Sequence, residues 1–330
     1  MGMGTRMGRS PGALAASLFL GAVTVGAPAA RAAEAVTVGT VGQASANLWP
    51  VFIALDKGFF AAEDLKVDVV YVQSSAQLVQ QITAGSLDIC ISTGLVDAMR
   101  AISMGSPVAI TRVDVQAPPY ALIAKPAIKR LAELKGKVIS LGGPKDITRI
   151  YVERMLEPNG VKPGEFDMVF AGATAARASA LLAGAVDAAI LLPPFNFQAV
   201  TAGFSDLGLT IDYAKDLPFS GTVVNVRWAN AQKTLLQKLM AAHSRGVAWF
   251  EDDRNRAEAV QILVAVSKLK PEDVEKAYDF MRKGQFFEPT GKISRSKLAS
   301  LAKAMVSLGD LPGAIDIDRV LLPGVTQVTD

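Results

Sequence analysis

The sequence of 330 residues is poor in the side chains on which most metal and disulfide sites depend. It contains one cysteine, Cys90, and one histidine, His243. A disulfide within one chain needs two cysteines, and a structural zinc site needs about four cysteine or histidine ligands. Both kinds of site are therefore excluded. Cys90 lies in the apolar run 87–91, which predicts a buried thiol.

Enzyme signatures are equally scarce. A Ser-His-Asp group would have to use His243, which falls on the apolar face, or the edge of that face, of a predicted helix over 231–250. We expect a packed or surface histidine there and not a general base. The chain has no Gly-Lys-Ser/Thr phosphate loop and no Gly-x-Gly-x-x-Gly motif after a predicted strand. We therefore expect no catalytic residues, no metal and no cofactor.

A charge excess is also missing once the first residues are set aside. Arg6 and Arg9 precede an apolar stretch over 13–25, and small residues over 27–33 form a cleavage site, as in a secretory signal peptide. The apolar stretch is too short to span a bilayer, although an uncleaved anchor is the alternative. Removing residues 1–33 deletes three arginines and leaves 31 basic and 31 acidic residues. Nothing then favours nucleic-acid binding.

What is present is an internal repeat with a spacing of 99 residues. A strand, a helix and a second strand are predicted over 67–72, 76–83 and 87–91, and the same order recurs over 166–171, 175–182 and 186–190. Upstream, predicted strands 36–40 and 137–141 each lead through a small-residue loop into a helix. Strands that alternate with helices predict mainly parallel sheets, so the repeat indicates two α/β lobes.

The connecting segments indicate how the lobes are joined. Extended crossings are expected at about 113–121 and 213–221, followed by helices over 231–250, 254–267, 271–282 and 294–307 that pack on lobe one. The predicted organisation is a signal peptide (1–33), the first part of lobe one (34–115), lobe two (116–215) and the return of the chain to lobe one (216–330).

These residues resemble a known family, the type 2 periplasmic solute-binding proteins of ABC importers, and within it the nitrate/sulfonate/taurine and thiamine-pyrimidine-precursor branch. The motifs that carry the resemblance are Lys57-Gly58-Phe59-Phe60, Ala84-Gly85-Ser86-Leu87-Asp88, Gly105-Ser106-Pro107-Val108, Leu131-Ala132-Glu133-Leu134-Lys135-Gly136-Lys137-Val138 and Ala183-Gly184-Ala185-Val186-Asp187-Ala188-Ala189. Two positions depart from the family: Asp64 replaces a usual glycine, and Leu192 replaces a tryptophan of many relatives.

The resemblance implies a monomeric periplasmic protein that captures a small solute between its lobes and delivers it to an ABC permease in the inner membrane. A ligand-sensing module for a membrane receptor or sensor kinase is the alternative, and an exported enzyme is a third interpretation. In open α/β sheets, ligands bind beyond the carboxyl ends of the strands. Six loops meet there: 42–49, 73–75, 92–95, 142–149, 172–174 and 192–196.

These loops are rich in small polar residues and open helices whose free N–H groups favour anions. We therefore predict a small anionic or polar organic solute, such as a sulfonate, a carboxylate or a nitrate-like ion. The predicted ligand-binding residues are Gln43, Ser45, Asn47, Trp49, Ser75, Ser92, Thr93, Thr148, Arg149, Thr174, Phe195 and Asn196.

Several of these predictions have a structural alternative, whereas the polar loop with Gln43, Ser45 and Asn47 is hard to explain as core. The hydroxyls can be helix N-caps. Arg149 can pair with a neighbouring acid, and Trp49 and Phe195 can belong to the core. Tyr120, on the first crossing, can either seal the cleft or pack in the hinge.

Overall fold

The computed structural model describes Met1 and residues 33–330. The predicted signal peptide lies outside the described residues except for its two ends, so it remains a prediction. Within residues 33–330, no helix is both long enough and apolar enough to cross a membrane.

Two five-stranded sheets form the framework, and the part of the chain built on each is called a lobe. Sheet one has the order β2-β1-β3-β10-β4, and sheet two the order β7-β6-β8-β5-β9. In each sheet one strand, β10 or β5, pairs antiparallel with both neighbours, and the other strands share one direction. The predicted α/β class with mainly parallel sheets is confirmed. The strands are β1 (Glu34–Val41), β2 (Leu65–Val72), β3 (Ile89–Gly94), β4 (Val108–Val115), β5 (Ala121–Ala124), β6 (Val138–Leu141), β7 (Asp167–Phe170), β8 (Ala188–Leu191), β9 (Ser205–Leu209) and β10 (Ser220–Asn225).

Helices cover the sheets because strands with apolar side chains on both faces must be buried on both. The helices of the described part are α1 (Trp49–Asp56), α2 (Ser75–Ala84), α3 (Leu95–Ser103), α4 (Ile147–Leu156), α5 (Thr174–Leu182), α6 (Phe195–Thr201), α7 (Ile211–Ala214), α8 (Val226–Ala231), α9 (Lys233–Phe250), α10 (Arg256–Ser267), α11 (Pro271–Gly284) and α12 (Arg295–Ser307).

The repeat is visible in the strand pairing. The units β2-α2-β3 and β7-α5-β8 keep the spacing of 99 residues. The first strand of each lobe departs from it: Val38 pairs with Ile89, whereas Ile139 pairs with Ala188. β1 and β6 therefore correspond with a spacing two residues longer, and the loop after β1 is longer than the loop after β6.

The chain passes from sheet one to sheet two between β4 and β5, and returns between α7 and β10. On the first crossing Tyr120 packs against Tyr151 and Phe219, with ring centres 5.9 and 5.0 Å apart. The crossings are thus short segments that contact each other through the rings of Tyr120 and Phe219.

The helices after β10 pack mainly on lobe one, where α9 and α10 lie against α1. α11 also contacts lobe two. The ring of Phe280 packs against the ring of Phe197 in α6, with ring centres 5.9 Å apart, and Asp273 accepts a hydrogen bond from Thr201 at 2.7 Å. The C-terminal helices therefore touch both lobes.

The unusual Asp64 has a local explanation. It ends the turn before β2 with φ of 58°, in the left-handed region that favours glycine. Asparagine and aspartate are the side chains that tolerate this region best, so the substitution keeps the turn.

Candidate functional site

A small cavity lies between the lobes where the carboxyl ends of the strands meet. Five of the predicted residues line it: Ser45, Asn47, Ser75 and Ser92 from lobe one and Thr174 from lobe two. The centre of a water molecule can move through about 40 Å³ of it. One buried water needs roughly 10–15 Å³ of such space, so the cavity fits a few waters or the head group of a small solute.

The wall from lobe one is neutral and polar. The Asn47 side-chain amide donates to Ser92 Oγ at 2.9 Å, and Ser92 Oγ lies 2.9 Å from Ser220 Oγ. Ser75 Oγ accepts from the Gly94 amide at 3.0 Å. Asn47 is buried, and its Oδ1 has no hydrogen-bond partner. A buried acceptor without a partner is costly, so this oxygen suits a donor on a bound molecule.

A buried carboxylate, Asp114, fixes the position of Ser92 in this wall. Ser92 has φ of 55°, a strained value for serine, and its amide donates to Asp114 Oδ2 at 2.9 Å. The same oxygen accepts from Thr222 Oγ1, and Asp114 Oδ1 lies 2.9 Å from Arg112 Nε. Burial raises the pKa of Asp114, and Arg112 opposes this rise. Asp114 thus holds Ser92 in the conformation that faces the cavity.

The histidine, His243, lies next to Asp114. His243 is buried in α9, with its Nδ1 3.9 Å from Asp114 Oδ1. Burial and the nearby Arg112 lower the pKa of His243 well below its usual value, so the ring is neutral. Of the packed and surface alternatives for His243, the structure has the packed one.

The wall from lobe two carries charge. Arg177 of α5 lines the cavity and is only 3% exposed. Its guanidinium donates to the carbonyls of Ile190 and Gly172 and to Thr174 Oγ1, and it lies 5.8 Å from the centre of the Tyr120 ring. The three oxygens that accept these protons are neutral. These hydrogen bonds fix the guanidinium through neutral acceptors, so they do not use a carboxylate partner, and the charged group facing the cavity suits an anion.

Asp146 stands beside this arginine. It caps α4 by accepting from the amide and the hydroxyl of Thr148 at 2.9 and 2.6 Å, and it also lines the cavity. A Cβ atom on Gly142 would lie 2.7 Å from Asp146 Oδ1 and 3.1 Å from Arg177 Nη1. The glycine therefore leaves room for two opposite charges to face one space.

The lobes touch around the cavity. The Ala46 amide of lobe one donates to the Pro193 carbonyl of lobe two at 2.8 Å. A Cβ atom on Gly172 would lie 2.8 Å from the Gln73 carbonyl, and one on Gly42 would lie 2.9 Å from the Ala173 Cβ. Contacts this close correspond to a closed arrangement of the two lobes.

The other predicted residues do not line the cavity, and the correction is clearest for Trp49. Its side chain is fully buried, its indole N–H donates to the Ala259 carbonyl at 2.7 Å, and its ring packs against Phe250 and Tyr278. The core alternative therefore holds. Arg149 likewise follows its alternative, because its Nε pairs with Glu153 at 2.8 Å.

The remaining predicted residues fall into two groups. Some side chains are buried or hydrogen-bonded within their own lobe, and one is exposed to solvent. Thr148 Oγ1 donates to Asp146, the N-cap of α4, and Phe195 packs in the core of lobe two. Thr93 and Asn196 are buried away from the cavity lining, and Gln43 is exposed.

Sequence reasoning missed Arg177, Asp146, Gln73 and Ser74, which all line the cavity. Tyr120 lines the cavity and packs against Phe219 of the second crossing. The signal for Arg177 was available: the spacing of 99 residues places it opposite Leu78, so one copy of the repeat has an arginine where the other has a leucine. Leu192, the second departure from the family, lies in the cavity wall.

Among residues 33–330, no group of three or more histidine, cysteine, aspartate or glutamate side chains could hold a metal ion.

The sequence model of the NMT1/THI5-like family matches residues 45–257. The chain belongs to this NMT1/THI5-like family. The predicted family is therefore confirmed. Among curated proteins, none matches the chain by sequence.

Solved structures with low sequence identity share the fold. The alkanesulfonate-binding protein SsuA from Xanthomonas axonopodis pv. citri, bound to MOPS, has 19% identity and a TM-score of 0.72 over 90% of this chain and 99% of its own. The nitrate-binding protein NrtA from Synechocystis PCC 6803 has 19% identity and a TM-score of 0.65 over 74% and 70%. The desulfurization enzyme DSZB has 14% identity and a TM-score of 0.64 over 88% and 97%. The NMT1/THI5-like chain thus has the two-lobe periplasmic-binding-protein fold.

Proposed function

We propose that this protein is the extracytoplasmic solute-binding component of an ABC importer. It captures a small anionic or polar organic solute between its lobes and delivers it to a permease without transforming it. The observation that carries the proposal is Arg177, a buried guanidinium with neutral hydrogen-bond partners that faces a cavity enclosed by both lobes. The alkanesulfonate-binding and nitrate-binding proteins of the same fold support an anionic ligand group.

The cavity also favours a solute with a hydrogen-bond donor. Asp146 and the unpartnered Oδ1 of Asn47 are acceptors that line the same space as Arg177. A solute that carries an acidic group at one end and an N–H or O–H group near it satisfies all three. A bare inorganic anion satisfies Arg177 alone, so we expect it to bind more weakly.

Capture proceeds by closure of the two lobes. We take lobe one as residues 34–115 and 216–330 and lobe two as residues 116–215. The empty protein opens at the crossings, and a solute that contacts both walls favours the closed form by those extra contacts. The closed form then docks on the permease. In this proposal a signal peptide directs the protein to the periplasm, where it acts as a monomer.

Isothermal titration calorimetry of the processed protein tests the proposal. The probes are nitrate, ethanesulfonate, taurine, an arylsulfonate, a small aromatic carboxylate and a thiamine pyrimidine. We expect saturable one-to-one binding of an organic anion, and tighter binding of taurine than of ethanesulfonate, which lacks the amine. Binding of none of them, with no change in small-angle scattering, would contradict importer function and favour a sensing role. Because DSZB is an enzyme, any bound probe is also assayed for turnover.

A further inference from the structure

A cluster of charged side chains from both lobes sits at the rim of the cavity. Lobe one contributes Asp97 and Arg100 of α3 and Asp310, which follows α12. Lobe two contributes Lys145 and Asp146 from the loop between β6 and α4. We call these five residues the rim cluster. It holds three carboxyl groups and two cationic groups, so acidic groups are in excess.

The contacts of the rim cluster run across the boundary between the lobes. Arg100 Nη1 binds Asp97 Oδ1 at 2.7 Å within lobe one, and Nη2 donates to the Lys145 carbonyl of lobe two at 2.7 Å. Lys145 Nζ lies 3.8 Å from Asp310 Oδ1. Opening the lobes must break the last two contacts, so the cluster is complete only in the closed form.

Closure places the acidic groups in an unfavourable position. The side chains of Asp97 and Asp310 are 7% and 3% exposed, and both depend on the same guanidinium, which is 3.8 Å from Asp310. Asp310 Oδ1 has no hydrogen-bond partner. The approach of lobe two adds Asp146 as a third acidic group and removes water. The three carboxyl groups then face two cations, Arg100 and Lys145, and this excess of acidic groups, with two of them buried, favours protonation of one of them.

We propose that closure of the lobes takes up a proton at Asp97, so that solute capture is coupled to pH. This inference rests on the proposed function, since it assumes that the lobes open and close. Closure then becomes more favourable as the pH falls, and less favourable as it rises.

The direction of the coupling follows from the surroundings of Asp97. Burial, then Asp146, raises the pKa of Asp97 to about 7; Asp310 adds to the rise, and Arg100 opposes it. The contributions of Asp146 and of the lost water belong to the closed form, so the pKa of Asp97 is lower in the open form. A group whose pKa is raised by closure favours closure below its open-form pKa, and this contribution is lost as the pH rises through about 7. The lone His243 is buried and neutral, so it does not titrate in this range.

Pulsed electron paramagnetic resonance measures the coupling without any solute. Spin labels at Lys66→Cys and Asp167→Cys, exposed positions on β2 and β7, report the distance between the lobes, and the buried Cys90 escapes labelling. We expect the ratio of closed to open protein to rise between pH 8 and pH 6, by at most about tenfold per pH unit for one proton. Asp97→Asn abolishes the dependence, and Asp68→Asn, an exposed aspartate of the same lobe, keeps it.

A second variant, in lobe two, tests whether Asp146 raises the pKa of Asp97. This test remains valid even if Asp97→Asn fails to fold. Asp146→Asn removes a repulsive charge from Asp97, so the midpoint of the pH dependence moves to lower pH. An unchanged closed fraction between pH 8 and pH 6 in the wild type, or an unchanged pH dependence in Asp97→Asn, would overturn the inference. If a bound sulfonate still closes the labelled protein in that case, the proposed function stands and only the proton coupling fails.

Discussion

Equivalent positions of the two repeats carry out different tasks in the two walls of the cavity. In lobe one, Leu78 is fully buried in the core and Ser75 Oγ accepts from the Gly94 amide. In lobe two the matching residues are Arg177 and Thr174, and Thr174 Oγ1 accepts from the guanidinium of Arg177. The same strand-helix-strand unit thus forms a neutral wall in one copy and a charged wall in the other.

The difference teaches that a duplicated scaffold fixes where a ligand can bind, but not which lobe recognises its charge. A leucine and an arginine fit the same helix position because the arginine is held by the carbonyls of Gly172 and Ile190. Those bonds belong to the lobe, so the guanidinium is positioned before a solute arrives. Positioning of this kind lowers the entropic cost of binding.

The largest expected effect comes from making lobe two resemble lobe one. Arg177→Leu removes the positive charge from the cavity and should weaken binding of an organic anion by about 2–4 kcal/mol, or roughly 30- to 1,000-fold. Calorimetric titration with the best probe measures the loss, and urea unfolding checks that the variant is folded.

Arg149→Leu is the matched control. Arg149 lies in α4 of the same lobe, but its guanidinium pairs with Glu153 and does not line the cavity. It should leave the affinity within about twofold of the wild type. An equal loss in both variants would show that overall charge, and not the position of Arg177, governs binding.

A smaller effect is expected from separating the two walls. Gly172→Ala places a Cβ atom 2.8 Å from the Gln73 carbonyl of lobe one, so the lobes cannot approach fully. Affinity should fall roughly 5- to 150-fold, since a backbone shift in a packed contact costs about 1–3 kcal/mol. Calorimetry with the same probe measures this loss.

The control for this variant is Gly184→Ala. Gly172 and Gly184 have φ of 72° and 75°, so alanine is strained at both, but a Cβ atom at Gly184 meets nothing within 4 Å. The control should lose stability alone. If both variants bind equally well, the contact between the loops is not part of closure.

The smallest effect is expected in the neutral wall. Asn47→Ala removes the bond to Ser92 Oγ and the acceptor Oδ1, and should weaken binding by about 1 kcal/mol, or roughly fivefold. Asn159→Ala, in lobe two beyond the cavity, should have no effect on binding. A loss for Asn47→Ala as large as that for Arg177→Leu would reverse the comparison between the walls.

Much of the fold could be predicted from the sequence because it is local. The strand and helix patterns of 67–91 and 166–190 give β2-α2-β3 and β7-α5-β8, and the proline-rich crossing after β4 indicates where the chain changes sheet. The contact of α11 with α6 could not be predicted, because it joins residues far apart in the chain.

The candidate site was less predictable, for a physical reason. Loop position identifies residues near the cavity but not the direction of their side chains. Trp49 and Thr148 lie at the starts of the helices that follow the expected loops. The Trp49 side chain turns into the core, and the Thr148 hydroxyl donates to Asp146, the N-cap of its helix. Arg177 lies within α5, three residues after Thr174, where a helix face and not a loop determines its direction.

A crystal structure of the protein with the solute that it retains on purification tests the central proposal most directly. We predict density for one small organic anion in contact with Arg177 of lobe two and with Asn47 or Ser92 of lobe one. A solute held by one lobe alone, or located outside this cavity, would contradict the account.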